Sequence, residues 1–135
     1  MAEAKPAGAA RLESVSPSLA VPDVVVAAEY YRDKLGFQIL GYFLDPPVYA
    51  IVGRDSVRIH FGRIETGEPS APNATRREEG IDAYVWVDDV DALHAEFQRR
   101  GVEIAGAPTK QVYGCYEMIV EDNHGFRIAF GMNIA

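Results

Sequence analysis

The 135-residue chain carries a single cysteine, Cys115, and a single tryptophan, Trp86. One cysteine excludes an intrachain disulfide and any cysteine-only metal site, and a reducing cytoplasm is the simplest setting for it. No apolar run approaches the roughly 18 residues that span a bilayer, which argues against a membrane partner. Basic residues are in the minority: 13 Lys and Arg stand against 20 Asp and Glu, a net charge of −7. Such a surface repels phosphate backbones, so nucleic acid is a poor partner, whereas a cationic ligand would be drawn in. There is no Gly-rich phosphate loop and no nucleophile elbow. Residues 1–14 are Ala-rich and include Pro6 and Gly8; they read as a flexible tail rather than a secretion signal. The letters Asn73-Ala74-Thr75 therefore carry no expectation of glycosylation.

What is present is a length of about one domain and a unit that occurs twice. The first unit begins with the alternation Ser18-Leu19-Ala20-Val21, followed by Asp23 as a helix N-cap. A helix over Val24 to Leu35 follows from the apolar spacing of Val24, Ala27, Ala28, Tyr31 and Leu35. Gly36 ends it. Strands are predicted over 37–43, 48–52 and 57–61. The second unit has a strand over 83–87, Asp89 as cap, and a helix over 90–100 stopped by Gly101. Strands follow at 102–104, 111–120 and 126–130. The register is explicit: Val21, Asp23 and Tyr31 match Val87, Asp89 and Phe97 at an offset of 66, and Arg58-Ile59-His60-Phe61-Gly62 matches Arg127-Ile128-Ala129-Phe130-Gly131 at 69. The expected organisation is a tail (1–14), a first βαβββ module (15–66), a polar linker (67–80) and a second module (81–132). Repeats of this kind predict an α+β fold of two modules in a pseudo-twofold pair, with an open sheet lining a cleft.

Period two assigns faces. Val57, Ile59 and Phe61 should face their helix, which turns Arg58 and His60 the other way. Ala83, Val85 and Val87 should face the second helix, leaving Asp82, Tyr84 and Trp86 away from it. In the last strand Arg127 and Ala129 face away; in the first, Ser16, Ser18 and Ala20 do. The away-facing set is polar and aromatic and reads as a cleft lining. His94 and His124 read as surface residues. Cys115 has no base nearby in sequence to make it a nucleophile.

The paired βαβββ order, Val21-Pro22-Asp23 leading into Tyr30-Tyr31-Arg32-Asp33-Lys34-Leu35-Gly36-Phe37, and the terminal Glu121-Asp122-Asn123-His124-Gly125-Phe126 resemble the vicinal oxygen chelate proteins. That superfamily includes glyoxalase I, extradiol dioxygenases and bleomycin resistance proteins. Its metal enzymes draw ligands from four pseudo-symmetric sites, which the resemblance places at Ser16, His60, Asp82 and Ala129. Only His60 and Asp82 have ordinary ligand chemistry, too little for a divalent transition metal, so no metal and no cofactor is expected. Ala83-Tyr84-Val85-Trp86-Val87 and Asp91-Ala92-Leu93-His94-Ala95-Glu96-Phe97 are most similar to the bleomycin resistance branch. That likeness implies a homodimer with ligand clefts at its interface, Pro17 as the hinge of an exchanged N-terminal arm, and Tyr49 and Tyr113 flanking a planar heteroaromatic ligand.

The expected ligand-binding set is thus Tyr49, Arg58, His60, Asp82, Tyr84, Trp86, Tyr113 and Arg127. The favoured function is non-catalytic capture of a small planar molecule, a bleomycin-like antibiotic or another aromatic with room for positive charge. The alternative is a lyase, isomerase or dioxygenase of the same superfamily, either metal-dependent or metal-free with His60 as base and Asp82 beside it. Asp82 paired with Arg58 or Arg127 is the competing, purely structural role for that carboxylate.

Overall fold

The structure, a computed structural model, describes residues 8–134, so half of the expected tail, residues 1–7, lies outside the described residues. The elements run β1 (Ser18–Val21), α1 (Val24–Leu35), β2 (Gln38–Phe43), β3 (Tyr49–Arg54), β4 (Val57–Arg63), a 3-10 turn at Asn73–Thr75, β5 (Ala83–Trp86), α2 (Val90–Arg99), β6 (Ile104–Lys110), β7 (Cys115–Glu121) and β8 (Arg127–Asn133). They form two four-stranded sheets of identical topology, β1-β4-β3-β2 and β5-β8-β7-β6. In each sheet the first strand pairs parallel with the last: Ser18 lies opposite His60, and Tyr84 opposite Ala129. The other pairings are antiparallel. The α+β pair of βαβββ modules is the architecture that the repeat predicts. No helix among the described residues is long and apolar enough to cross a membrane.

The helices start where a side chain can satisfy their first free N–H groups. Asp23 accepts from Val25 and Val26, and Asp89 from Ala92. Gly36 closes α1 at φ 74°, in the left-handed region that glycine enters without steric cost. Each helix lays its apolar stripe on its own sheet, and the two halves share one core. Tyr31, Phe61, Ile59 and Leu35 from the first module and Phe97, Met118, Ile128 and Val120 from the second are fully buried in it.

Polar clasps join the modules at pseudo-equivalent places. On one side the Tyr31 hydroxyl donates to Asp122 Oδ2 at 2.8 Å, while Asp122 Oδ1 accepts from the backbone of His124 and Phe126 at 2.9 Å each. Burial holds the Asp122 carboxyl above the usual carboxylate range, against the opposing pull of these hydrogen bonds. On the other side Arg54 grips Glu96 through two bonds, of 2.9 and 2.8 Å, and also reaches the Leu35 carbonyl. Arg100 adds a second cation to Glu96 at 3.0 Å. The Arg54 guanidinium, with Arg100 behind it, holds the Glu96 carboxyl below its ordinary value.

Two elements differ from the sequence reading. β6 runs to Lys110 rather than stopping at 104, because it is an edge strand and tolerates Pro108 and two register shifts that break the alternation. The strand expected from 111 begins at 115; Gln111 to Gly114 instead form the hairpin turn, closed by Gly114 N–H donating to the Gln111 carbonyl.

Asp122→Ala strands a buried hydroxyl and two backbone N–H groups, so it should cost roughly 2–4 kcal/mol of unfolding free energy in urea, and Tyr31→Phe about 1–2. Glu96→Gln tests the other clasp. A carboxyl with a depressed folded-state pKa adds stability above its unfolded value of about 4.3 and loses it as pH falls through the lower folded one. The wild type should therefore exceed Glu96→Gln by about 1 kcal/mol at neutral pH, and the difference should close as pH drops below about 4.

Candidate functional site

Because the modules meet through their helix-bearing sides, the opposite face of each sheet is turned outward. On the first sheet that face carries Ser18, Tyr49, His60 and Arg58. Tyr49 lies over Gly62, which would place an ordinary 3.7 Å contact on any added Cβ, and its hydroxyl meets His60 Nδ1 at 2.9 Å with the rings edge to face. Ser18 Oγ stands 3.4 Å from the same hydroxyl. His60 is fixed further by its backbone N–H, which donates to the Pro17 carbonyl. Arg58 turns back on its own hairpin, donating to the Asp55 and Val57 carbonyls. A hollow of about 430 Å³ opens beside this group, lined by Leu40, Tyr42, Phe43, Ile51, Arg58 and His60.

The second sheet carries a different constellation. Tyr84 and Trp86 alternate along the edge strand β5, with ring centroids 4.8 Å apart. Tyr84 reaches across β8 to β7, where its hydroxyl donates to Glu117 Oε1 at 2.9 Å. It can do so because position 131, in the strand between, is glycine: a Cβ there would run into the phenol oxygen and lie 2.7 Å from the ring carbon that bears it. Tyr113, at the tip of the β6–β7 turn, donates to the same Oε1 at 2.7 Å. Glu117 is 6% exposed, whereas Trp86 and Tyr113 are 63% and 61% exposed. Among the described residues no Lys, Arg or His forms an ion pair with Glu117. Burial, followed by the bond to Glu117, raises the Tyr84 phenol far above its ordinary value, and the Glu117 bond pushes Tyr113 up to about 12. Both phenols keep their protons at neutral pH.

Asp82 and Arg127 are occupied elsewhere. Asp82 Oδ1 accepts from Asn73 N–H and Oδ2 from Arg127 N–H, each at 2.9 Å, which ties the linker to the start of β8. The Arg127 side chain pairs with Glu121 and bonds the Glu78 carbonyl, while Arg58 contacts neither. Ser16 is exposed and precedes β1; the strand positions beside His60 and Ala129 are Ser18 and Tyr84. The four positions that the superfamily uses for a metal thus offer a serine, an imidazole bonded to Tyr49, a carboxylate with both oxygens engaged and an alanine. That donor set does not fit a divalent metal. Nor does any other cluster of three or more His, Cys, Asp or Glu side chains among the described residues.

The structure therefore groups the expected residues into two sets, Tyr49 with His60 and Tyr84 with Trp86 and Tyr113. No hydrogen bond or ring contact joins one set to the other among the described residues. Glu117 was not singled out from the sequence. Its signal is parity: Met118 and Val120 go to the core, so Cys115, Glu117 and Ile119 face away, and a carboxylate there lies among the tyrosines. A separate crevice of about 440 Å³ opens between the modules, with Phe37, Val57, Leu93, Phe97 and Phe130 among its walls.

Comparison with known proteins agrees with this fold. A search of the curated proteins found no match. Among solved structures, the bleomycin-binding protein of bleomycin-producing Streptomyces verticillus, in complex with copper(II)-bleomycin, is similar at a TM-score of 0.69 and 24% identity, over 90% of this chain and 97% of that one. TioX from Micromonospora sp. ML1 is similar at 0.68 and 21%, over 90% and 98%. The bleomycin resistance determinant encoded on transposon Tn5 is similar at 0.71 and 18%, over 92% and 100%. At these identities the likeness is one of fold. The family model described as the Glyoxalase/Bleomycin resistance protein/Dioxygenase superfamily matches residues 11–130, nearly the whole described chain, and the protein belongs to that superfamily.

Proposed function

We propose that this protein captures a small planar aromatic molecule in the cytoplasm, a bleomycin-like antibiotic or a compound of similar shape, and holds it without turnover. The observation that carries the reading is the pair of uncovered sheet faces, each built around aromatic side chains and neither holding a metal-ligand set. Three of the solved structures of this fold are described as bleomycin-binding or bleomycin resistance proteins, two of them with bleomycin bound, which supports the ligand class. A stacked aromatic contact adds about 0.5–1.5 kcal/mol beyond burial, so several together support micromolar or tighter binding.

The two faces point outward from one chain, so a closed cleft needs a second copy: the Tyr49–His60 face of one protomer opposite the Tyr84–Trp86 face of its partner. Leu12 and Val15, 96% and 92% exposed, find no cover among the described residues. In this reading they lie on the partner, with Pro17 as the point where the arm crosses.

Titration with metal-free bleomycin tests the proposal. Saturable quenching of Trp86 fluorescence is expected, two ligands per dimer by calorimetry, and the unchanged compound by mass spectrometry. Trp86→Ala should weaken binding by roughly three- to tenfold. A modified product, as a His60-based enzyme would give, would overturn capture. So would the lack of any saturable signal with bleomycin and with planar heteroaromatics such as acridine and quinoline.

A further inference from the structure

Glu117 is a buried carboxylate without a cationic partner among the described residues, and it accepts two hydroxyl hydrogens on the same oxygen. Placing a carboxylate in such a position is costly unless a countercharge or strong donors compensate it. Tyrosine donors compensate part of that cost, at 2.9 and 2.7 Å. The arrangement also has a direction. A hydroxyl has one hydrogen and two lone-pair sites. With both hydrogens committed to Glu117, the Tyr84 and Tyr113 oxygens have only lone pairs left to offer, polarised by the carboxylate behind them, and the Cys115 thiol shares the Tyr84 hydroxyl. The exposed Trp86 ring packs on the Tyr84 ring at 4.8 Å between centroids, and the Tyr113 ring that carries the second oxygen is exposed as well. Lone pairs backed by a buried anion, next to π faces, suit a cation that donates N–H bonds.

We propose that the ligand of the second-sheet face is a planar aromatic carrying a protonated amine, whose ammonium donates to the Tyr84 and Tyr113 hydroxyl oxygens with Glu117 as its countercharge. This rests on the capture reading above and names the chemistry of its ligand. Glu117 is a positioning residue here, acting through the two tyrosines. Gly131 belongs to the same device, since without it Tyr84 could not cross β8 to reach the carboxylate.

The test uses two probes of equal shape, protonated 2-naphthylmethylamine and neutral 2-naphthalenemethanol, titrated calorimetrically at pH 7 into the full chain and into Glu117→Gln. The wild type should bind the ammonium roughly tenfold more tightly than the alcohol. In Glu117→Gln the preference for the ammonium over the alcohol should fall to roughly twofold or less. Equal binding of both probes by the wild type would overturn the proposal while leaving aromatic capture intact, and that arm needs no variant. A preference that persists in a folded Glu117→Gln would assign the charge recognition elsewhere and overturn it as well. Failure of both probes, together with failure of bleomycin and the planar heteroaromatics, would remove the capture reading itself.

Discussion

Tyr31 sits at the middle of α1 with its ring fully buried, and its hydroxyl crosses into the second module to bond Asp122. Asp122 in turn holds the turn that feeds β8, through the backbone of His124 and Phe126. Arg54 does the converse from the first module, gripping Glu96 of α2. These reciprocal contacts hold the modules together by their helix-bearing sides. Once that is fixed, each sheet has only one side left for other work. The aromatic faces are open because the other faces are committed.

The same commitment explains why pseudo-symmetry survives in the scaffold and fails in the chemistry. Topology, helix caps and the core layer repeat closely, since each must solve the same burial problem twice. The outward faces are under no such requirement. Tyr49 bonds an imidazole on one sheet, whereas on the other a tyrosine from the edge strand crosses a glycine to reach a carboxylate. The halves also differ at their junction. Position 57 is valine where its counterpart, 126, is phenylalanine, and the crevice between modules lies beside the smaller residue.

Much of the fold was legible in the sequence because burial imposes periods. Offsets of 66 and 69 located both modules, and parity placed Ile59 and Phe61 inside and His60 outside, as the structure has them. The β6–β7 hairpin was misread because Pro108 and Gly106 interrupt alternation in an edge strand, where pairing on one side alone sustains the element. The candidate site was harder to read. Parity assigned Asp82 to the outward face, yet its oxygens are consumed by backbone donors from the linker and from β8, contacts that no periodicity reveals. Glu117 escaped for the opposite reason: a lone charge in an apolar strand looks like ordinary surface until the strand's orientation is known.

The tie between Asp82 and the linker limits what substitution at the neighbouring positions can achieve. Giving position 129 a donor atom would not by itself create a coordination centre, because the carboxylate needed at 82 is also the peg that holds Asn73 and Arg127 in place. Freeing that peg would unfasten the strap between the halves. A coordination centre at these positions would have to arrive together with a new fastening for the linker.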